Sequence, residues 1–597
     1  MKIRPPGPRR RPPRFSLLLA LLAIISTALV GMVAVAAPPA SAESNGVGLT
    51  PAMGWSSWSY LRYDPNAAAI EAQAAAMVSS GLSSVGYDYV NLDDFWYDCP
   101  GSQGPDVDSY GRWVTNASEF PPSSSGENGI EVVADYVHSL GLKFGIYVTP
   151  GISDQAVAEN TPIEGTSYTA DEIADGDSET NYNCGGMQGI NYSAPGAQDF
   201  INSWADEFAS WGVDYLKIDG VGDSDIDDIE SWSAALEQTG RPIHLELSNS
   251  LDIANAATWA KYSNGWRTTG DIECYCGTNG AAYPLTDWSN VSGRFNPVAS
   301  WQPYGGPGAF NDYDSIEVGN GATDDGITDA EAQSQLSLWA MGASPLILGT
   351  DLTNLNSTEL GYLKNTSVIA VDQDSIDASR IVNNGNQQVF AKTESNGDVI
   401  LGLFNESGSA SQTVSVSLAS AGISGSATAT DLWADDSVGT VSGTYSVTLG
   451  AGAVQLLKLV PSGSSSTYTG EINAVGASKC LDDPDFSATD GTQQDIWTCN
   501  DGSNQIWTHT SSGQLTVTTG GATNCLDVAG QSTTPGAVVD IWPCNGQTNQ
   551  EWTVNSNGTI TGVQSGLCLD VVGQGTANGT DVDVWTCNGQ SNQQWTL

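Results

Sequence analysis

The residues best suited to chemistry in this 597-residue chain are aspartates that close short apolar runs. Asn91-Leu92-Asp93-Asp94 ends one such run, and Asp219 follows Tyr215-Leu216-Lys217-Ile218. Trp266-Arg267-Thr268-Thr269-Gly270-Asp271-Ile272 ends another, and Asn311-Asp312 and Asp314 follow Phe310. Carboxylates set among Trp, Tyr, Lys and Arg match the needs of glycosidic bond cleavage. One attacks the anomeric carbon, a second protonates the leaving oxygen, and others hold sugar hydroxyls. A single Asp after a strand is more often the N-cap of the next helix; several with interleaved aromatics favour chemistry. The three histidines, His138, His244 and His509, are too few to favour a zinc site or a Ser-His-Asp hydrolase. No metal and no cofactor is expected.

Aspartates so far apart in sequence converge only if parallel strands carry them to one face. Tyr87 to Leu92, Leu142 to Val148, Val213 to Ile218, Ile243 to Leu247 and Pro345 to Leu348 have strand character. Amphipathic helices lie between them. The clearest is expected to start at Ser193 as N-cap, with Pro195 in its first turn. It carries Phe200, Ile201, Trp204, Phe208 and Trp211 on one face and stops at Gly212. Such alternation over 43–374 predicts a parallel α/β fold whose length suits a (β/α)8 TIM barrel. Periodicity alone leaves a doubly wound sheet open. In a barrel, catalytic groups stand at the C-terminal ends of the strands, where these aspartates fall.

Short alternating strands replace helix signal over 375–460, among them Val389 to Lys392, Val399 to Phe404 and Thr413 to Leu418, so an antiparallel β-sandwich domain is expected. The Pro-Ser-Gly run at 461–467 has linker composition. The remainder, 468–597, repeats itself three times. Cys480-Leu481-Asp482, Cys525-Leu526-Asp527 and Cys568-Leu569-Asp570 open the units, each with a second cysteine 19 residues on, at Cys499, Cys544 and Cys587. Each unit closes on Asn-Gln-x-Trp, ending at Trp507, Trp552 and Trp595. Three β units sharing one core, with one disulfide per unit, account for this spacing.

Residues 1–42 have the form of a signal peptide. Lys2, Arg4, Arg9, Arg10, Arg11 and Arg14 precede the apolar run Leu17 to Ala37, and Ala40-Ser41-Ala42 supplies a small-x-small cleavage site. The apolar run is also long enough for an uncleaved anchor, but the cleavage site favours secretion, with no membrane association afterwards. Loss of this leader takes six of the 19 basic residues and no acidic one, leaving 13 against 68. That acidity repels phosphate backbones, so nucleic acid is not expected as a partner. With 19 Trp and 20 Tyr the chain is not disordered in composition. Ten cysteines in an exported chain point to disulfides, and the partners of Cys99, Cys184, Cys274 and Cys276 stay open. The acidic run Asp223 to Asp228 lacks the Gly and terminal Glu of a calcium loop and is expected to be a solvated face.

These motifs carry a family resemblance. Thr50-Pro51-Ala52-Met53-Gly54-Trp55-Ser56-Ser57-Trp58, Asn91-Leu92-Asp93-Asp94 and Gly141 to Tyr147 are similar to blocks of glycoside hydrolase family 27, the α-galactosidase (melibiase) family. So are Trp211 to Asp219, Trp266 to Ile272, Gly306 to Asp312 and Ser337-Leu338-Trp339-Ala340, in the same order. The resemblance implies Asp219 as nucleophile and Asp271 as general acid/base, with Lys217 and Arg267 against the substrate. Asp93 and Asp94 match the pair that grips the 4- and 6-hydroxyls of galactose, and Trp55 and Tyr147 match pocket-lining aromatics. It further implies retention of configuration, with the two carboxyls about 5–5.5 Å apart and Asp271 held protonated at rest by a raised pKa.

Three departures bear on the sugar. Phe95 stands where the family has Cys after the Asp pair. Ser248-Asn249-Ser250-Leu251-Asp252 replaces the stretch that reads the 2-position, so that Ser250 falls where Glu is usual. After Tyr147 the family's Ser-Asp-Ala-Gly is replaced by Val148-Thr149-Pro150-Gly151, and a long insertion follows to about Tyr192. Terminal α-D-galactose is the expected glycone. Sibling specificities are β-L-arabinopyranoside, α-N-acetylgalactosaminide and isomaltose units of dextran, and a non-catalytic carbohydrate-binding protein is a more distant alternative.

The tail resembles a ricin-type β-trefoil lectin, a family 13 carbohydrate-binding module. The resemblance implies three sugar sites: Asp482, Trp497, Asn504 and Gln505; Asp527, Trp542, Asn549 and Gln550; Asp570, Trp585, Asn592 and Gln593. Asp495, Asp540 and Asp583 stand where such lectins often carry Gln. The expected partner is a galactose-containing or related plant polysaccharide, held with avidity by several weak sites.

Overall fold

The computed structural model describes residues 45–273, 286–394, 397–461, 468–500, 502–510, 513–555 and 557–597. The proposed leader, the linker residues 462–467, Cys274 and Cys276 lie outside the described residues.

Eight parallel strands form the barrel: β1 (Met53–Ser56), β2 (Tyr89–Asn91), β3 (Lys143–Val148), β4 (Tyr215–Ile218), β5 (His244–Leu247), β6 (Gly265–Arg267), β7 (Phe310–Asp312) and β8 (Leu346–Leu348). Hydrogen bonding runs β7-β6-β5-β4-β3-β2-β1-β8. The ring closes just beyond β7, where Ile316 donates to Ile347 (2.8 Å) and accepts from Gly349 (3.1 Å). Closure excludes the doubly wound alternative. Helices follow the strands in alternation, from Ala67–Ser79 after β1 to Thr366–Gln373 after β8, and every strand therefore delivers its C-terminal end to one face.

The helix expected from Ser193 begins later, at Ala197, after Gly196 in a left-handed conformation. The Ser193 hydroxyl bonds to Asn191 rather than capping. Its apolar face is as expected, with Phe200, Ile201, Trp204 and Phe208 buried. The acidic run is only partly solvated. Asp225 and Asp228 are buried, Asp225 accepting from the Gly222 amide and Asp228 from Tyr192 and Gly151.

The insertion after β3 builds a small antiparallel sheet from Ile152–Ser153, Ala174–Glu179 and Met187–Ile190. A disulfide joins Cys184 in it to Cys99 in the loop after β2. Within the barrel, glycines in β3 and β6 leave space for polar side chains. A Cβ at Gly145 would lie 2.1 Å from Asn91 Oδ1, and one at Gly265 2.1 Å from Glu246 Oε2.

The second domain is a six-stranded antiparallel sheet facing a two-stranded one (Gln412–Ser417 with Thr444–Leu449). Val389, Leu401, Leu403, Val414, Leu457 and Leu459 fill its interior. Phe390, Phe404 and Leu456 of the same sheet belong to the barrel's core instead, so the sandwich is packed against the barrel through one face.

The C-terminal domain is a trefoil with threefold equivalence. Its strand pairs set Cys480 opposite Trp497, Cys525 opposite Trp542 and Cys568 opposite Trp585. Each unit's cysteines form the expected disulfide, Cys480–Cys499, Cys525–Cys544 and Cys568–Cys587. Loops of this size give about 3 kcal/mol each in the chain-entropy account. Trp507, Trp552 and Trp595 are buried and donate to the carbonyls of Leu481, Leu526 and Leu569 (3.0, 2.9 and 2.9 Å).

Candidate active site

A cavity of about 370 Å³ opens at the C-terminal ends of the barrel strands, and both Asp219 and Asp271 line it. Asp219 follows β4 directly. Its Oδ1 accepts from the Gly220 amide (3.0 Å) and its Oδ2 from the Tyr147 hydroxyl (3.3 Å) at the end of β3. Lys217 lies two residues earlier on the same strand and so points to the same face. Its Nζ donates to Asp93 Oδ2 at 2.8 Å. Burial pushes the Lys217 ammonium down, but the Asp93 and Asp219 carboxylates outweigh it and hold the pKa above its usual value.

Asp94 is held on three sides. Its Oδ1 accepts from the Phe95 amide (2.8 Å) and the Tyr97 hydroxyl (2.7 Å), its Oδ2 from Asn183 Nδ2 (2.6 Å). Burial raises its pKa to about 6 against those hydrogen bonds. Phe95 itself has φ +72°, a conformation that a non-glycine residue adopts at a cost.

Arg267, at the end of β6, donates to Asp271 Oδ1 (2.8 Å) and lies 3.0 Å from Asp314 Oδ1. Asp271 is half-exposed, and although burial pushes its carboxyl up, the Arg267 guanidinium prevails and holds it below the usual carboxylate range. The expectation of a raised pKa at Asp271 is therefore not met in the open site. The ion pair with Arg267 is the reason.

Trp55 and Ser250 also lie elsewhere than expected. Trp55 is wholly buried on β1, donates to the Thr350 carbonyl (2.7 Å) and is not among the cavity's lining residues. Trp58, three residues on, lines the cavity instead, stacked on Phe95 and donating to Glu273. Ser250 is exposed and is also not a lining residue. Ser248 and Asn249 take that place.

Beneath the cavity, Glu246 and Asp312 sit inside the barrel with Asn91 and Tyr215. Burial raises Glu246 to about 8 and lowers His244, its partner at 3.0 Å, to about 3. Burial and then the Glu246 charge raise Asp312 to about 8. Glu246 was not among the expected site residues; its trace in the sequence is a carboxylate set between the apolar Leu245 and Leu247 of β5.

Residues 50–178 and 179–374 match the family model described as alpha galactosidase A. The chain belongs to glycoside hydrolase family 27. Within this family 27 chain, residues 384–459 match the alpha galactosidase C-terminal beta sandwich domain and 468–595 the ricin-type beta-trefoil lectin domain. It is 34% identical to an alpha-galactosidase of Oryza sativa over 66% of this chain and 81% of that one. It is 33% identical to an alpha-galactosidase of Cyamopsis tetragonoloba over 70% and 88%. Among solved structures, a family 27 β-L-arabinopyranosidase from Geobacillus stearothermophilus superposes with a TM-score of 0.63 at 30% identity, over 69% of this chain and 97% of that one. Alpha-galactosidase I from Mortierella vinacea gives 0.56 at 27%, over 71% and 100%.

The family 27 chain carries three equivalent constellations in its trefoil. Asp482 accepts from Asn504 (2.8 Å) and Gln505 (2.7 Å), Asp527 from Asn549 (2.8 Å) and Gln550 (2.9 Å), and Asp570 from Asn592 and Gln593 (both 2.8 Å). Gln505, Gln550 and Gln593 are fully buried and also bond to backbone on both sides of the amide. They act as struts behind each Asp. Trp497, Trp542 and Trp585 expose 44–46% of their surface, unusual for so large an apolar group.

Proposed function

We propose that this protein is a secreted, retaining α-galactosidase that removes terminal α-D-galactosyl units while its trefoil holds a plant polysaccharide. The observation that carries the reading is the meeting of Asp219, Asp271, Asp93, Asp94, Lys217 and Arg267 around one cavity large enough for a sugar ring. Asp219, aligned by Gly220 and Tyr147, attacks the anomeric carbon. Asp271 gives its proton to the departing oxygen and later takes one from water. Lys217 donates to Asp93 and sets its ammonium in the field of Asp219, a positive charge between the two carboxylates. Asp94, fixed by Tyr97 and Asn183, accepts a sugar hydroxyl at the pocket floor. The relatives named alpha-galactosidase support the glycone. Secretion is supported by the disulfides and by the basic head, apolar run and small-x-small site of residues 1–42.

A β-L-arabinopyranosidase is the second reading, favoured by the TM-score of the Geobacillus enzyme. L-Arabinopyranose lacks the hydroxymethyl group that the Asp93–Asp94 pair is expected to grip. Aryl α-D-galactopyranoside, aryl β-L-arabinopyranoside and aryl α-N-acetylgalactosaminide assayed side by side decide between them. Fastest turnover of the galactoside is expected, and faster turnover of either other substrate contradicts the assignment of the sugar.

A further inference from the structure

The insertion after β3 returns to the active site at residues 180–184, and three independent links fasten it there. Asn183 donates to Asp94 (2.6 Å), Asn181 donates to the Tyr97 hydroxyl (3.0 Å), and Cys184 is bonded to Cys99. Asn181 Oδ1 also accepts from the Cys184 amide (2.8 Å), which closes the segment into a turn. Tyr182 lies between these anchors. It lines the active-site cavity yet is 55% exposed, so it stands at the mouth rather than on the floor. Its ring packs over Gly220, the residue after Asp219. A Cβ there would lie 3.5 Å from Tyr182 Cε2, and φ at Gly220 is +81°. Asp271, also half-exposed, borders the same mouth.

This placement is informative because the floor is already filled with groups for the galactosyl ring. A leaving group protonated by Asp271 must depart through the mouth, past Tyr182. We propose that Tyr182 is the platform of a leaving-group subsite that binds the next pyranose of an oligosaccharide or polysaccharide, an inference resting on the glycosidase reading above. A pyranose presents a face of C–H bonds, and a phenol ring supplies a flat apolar surface with a polar tip. Because Asn181, Asn183 and Cys184 hold the turn before substrate arrives, little ordering cost remains at binding. Asn249, Arg62 and Glu273 border the cavity as polar groups within its lining.

The test compares kcat/KM for melibiose, whose leaving group is glucose, with that for α-D-galactosyl fluoride, whose leaving group cannot reach a sugar subsite. In Tyr182→Ala the ratio of the two is expected to fall about tenfold, the size of one aromatic contact, and in Tyr182→Trp to stay near wild type. An unchanged ratio in Tyr182→Ala, whether both rates hold or both fall together, contradicts the subsite. Wild-type protein that leaves galactosyl fluoride intact contradicts the galactosidase reading itself, and the subsite falls with it.

Discussion

Arg267 bridges Asp271 and Asp314, donating to the first at 2.8 Å and lying 3.0 Å from the second. The guanidinium is nearly fully buried, whereas Asp271 keeps half its surface in solvent. One cation thus fixes the position of the proposed acid/base and depresses its pKa. For Asp271 to act as an acid it must be protonated, and the alkaline limb of kcat/KM reports how strongly Arg267 opposes that state in the free enzyme. Arg267→Gln is expected to move the alkaline limb to higher pH. It also leaves Asp314 buried without its cation, at a cost of about 3–5 kcal/mol in stability. A pH–rate profile with urea unfolding of the same variant checks both. A limb that stays in place or moves down contradicts the role given to Arg267.

The trefoil should lose stability as pH rises. Burial first, and then Asp482, Asp527 and Asp570 across the strand pair, raise Asp495 and Asp540 to about 7 and Asp583 to about 6 from an ordinary 3.8. Asp581, Asp483 and Asp485 add to the field at Asp495. Between about pH 4 and 7 the folded domain therefore holds protons that the unfolded chain has released, and stability falls as pH rises through that window. Calorimetry of the whole chain at pH 5 and pH 8, beside the triple variant Asp495→Asn, Asp540→Asn, Asp583→Asn, measures this. The variant is expected to lose at least about 1 kcal/mol of the wild-type pH dependence. Equal pH dependence in the two proteins would refute it.

Trp497, Trp542 and Trp585 are exposed where Trp507, Trp552 and Trp595 are buried, and this separates binding from folding. Replacing the three exposed tryptophans by Ala should abolish retention on galactomannan, each single change weakening it only partly because the sites act together. Unfolding by denaturant should hardly change. Trp552→Ala, by contrast, removes a core side chain and should cost about 3–5 kcal/mol. Retention that survives the triple change would exclude these faces as the sugar sites.

Much of this arrangement is legible in the sequence, because the aspartates mark the ends of strands and strand order then brings them together. Trp55 and Trp58 show where that logic stops. β1 ends at Ser56 and a helical turn, Ser57–Leu61, follows at once. Period-two alternation therefore no longer tells which indole faces the cavity. Asn183 is 89 residues from Asp94 in sequence, and nothing local announces that an insertion folds back onto a strand end. The direction of the Asp271 pKa shift is hidden in the sequence for a related reason: it depends on whether burial or the Arg267 charge prevails, which requires a distance. In the trefoil, the repeat fixed the Asp, Trp and Asn-Gln positions, but only the backbone bonds of Gln505, Gln550 and Gln593 reveal these as supports rather than exposed contacts.

The assignment of Asp219 as nucleophile and Asp271 as acid/base is tested most directly by azide rescue, with the anomer of the product as readout. An aryl α-D-galactopyranoside with a good leaving group is given to Asp219→Gly and to Asp271→Gly in sodium azide. Without the Asp219 carboxylate, azide can attack only from the opposite face of an α-galactoside, in one inversion, and β-galactosyl azide is expected. With Asp219 present and Asp271 removed, azide intercepts the galactosyl-enzyme, and two inversions give α-galactosyl azide. The reverse pattern, or the same anomer from both variants, would contradict the roles assigned to the two carboxylates.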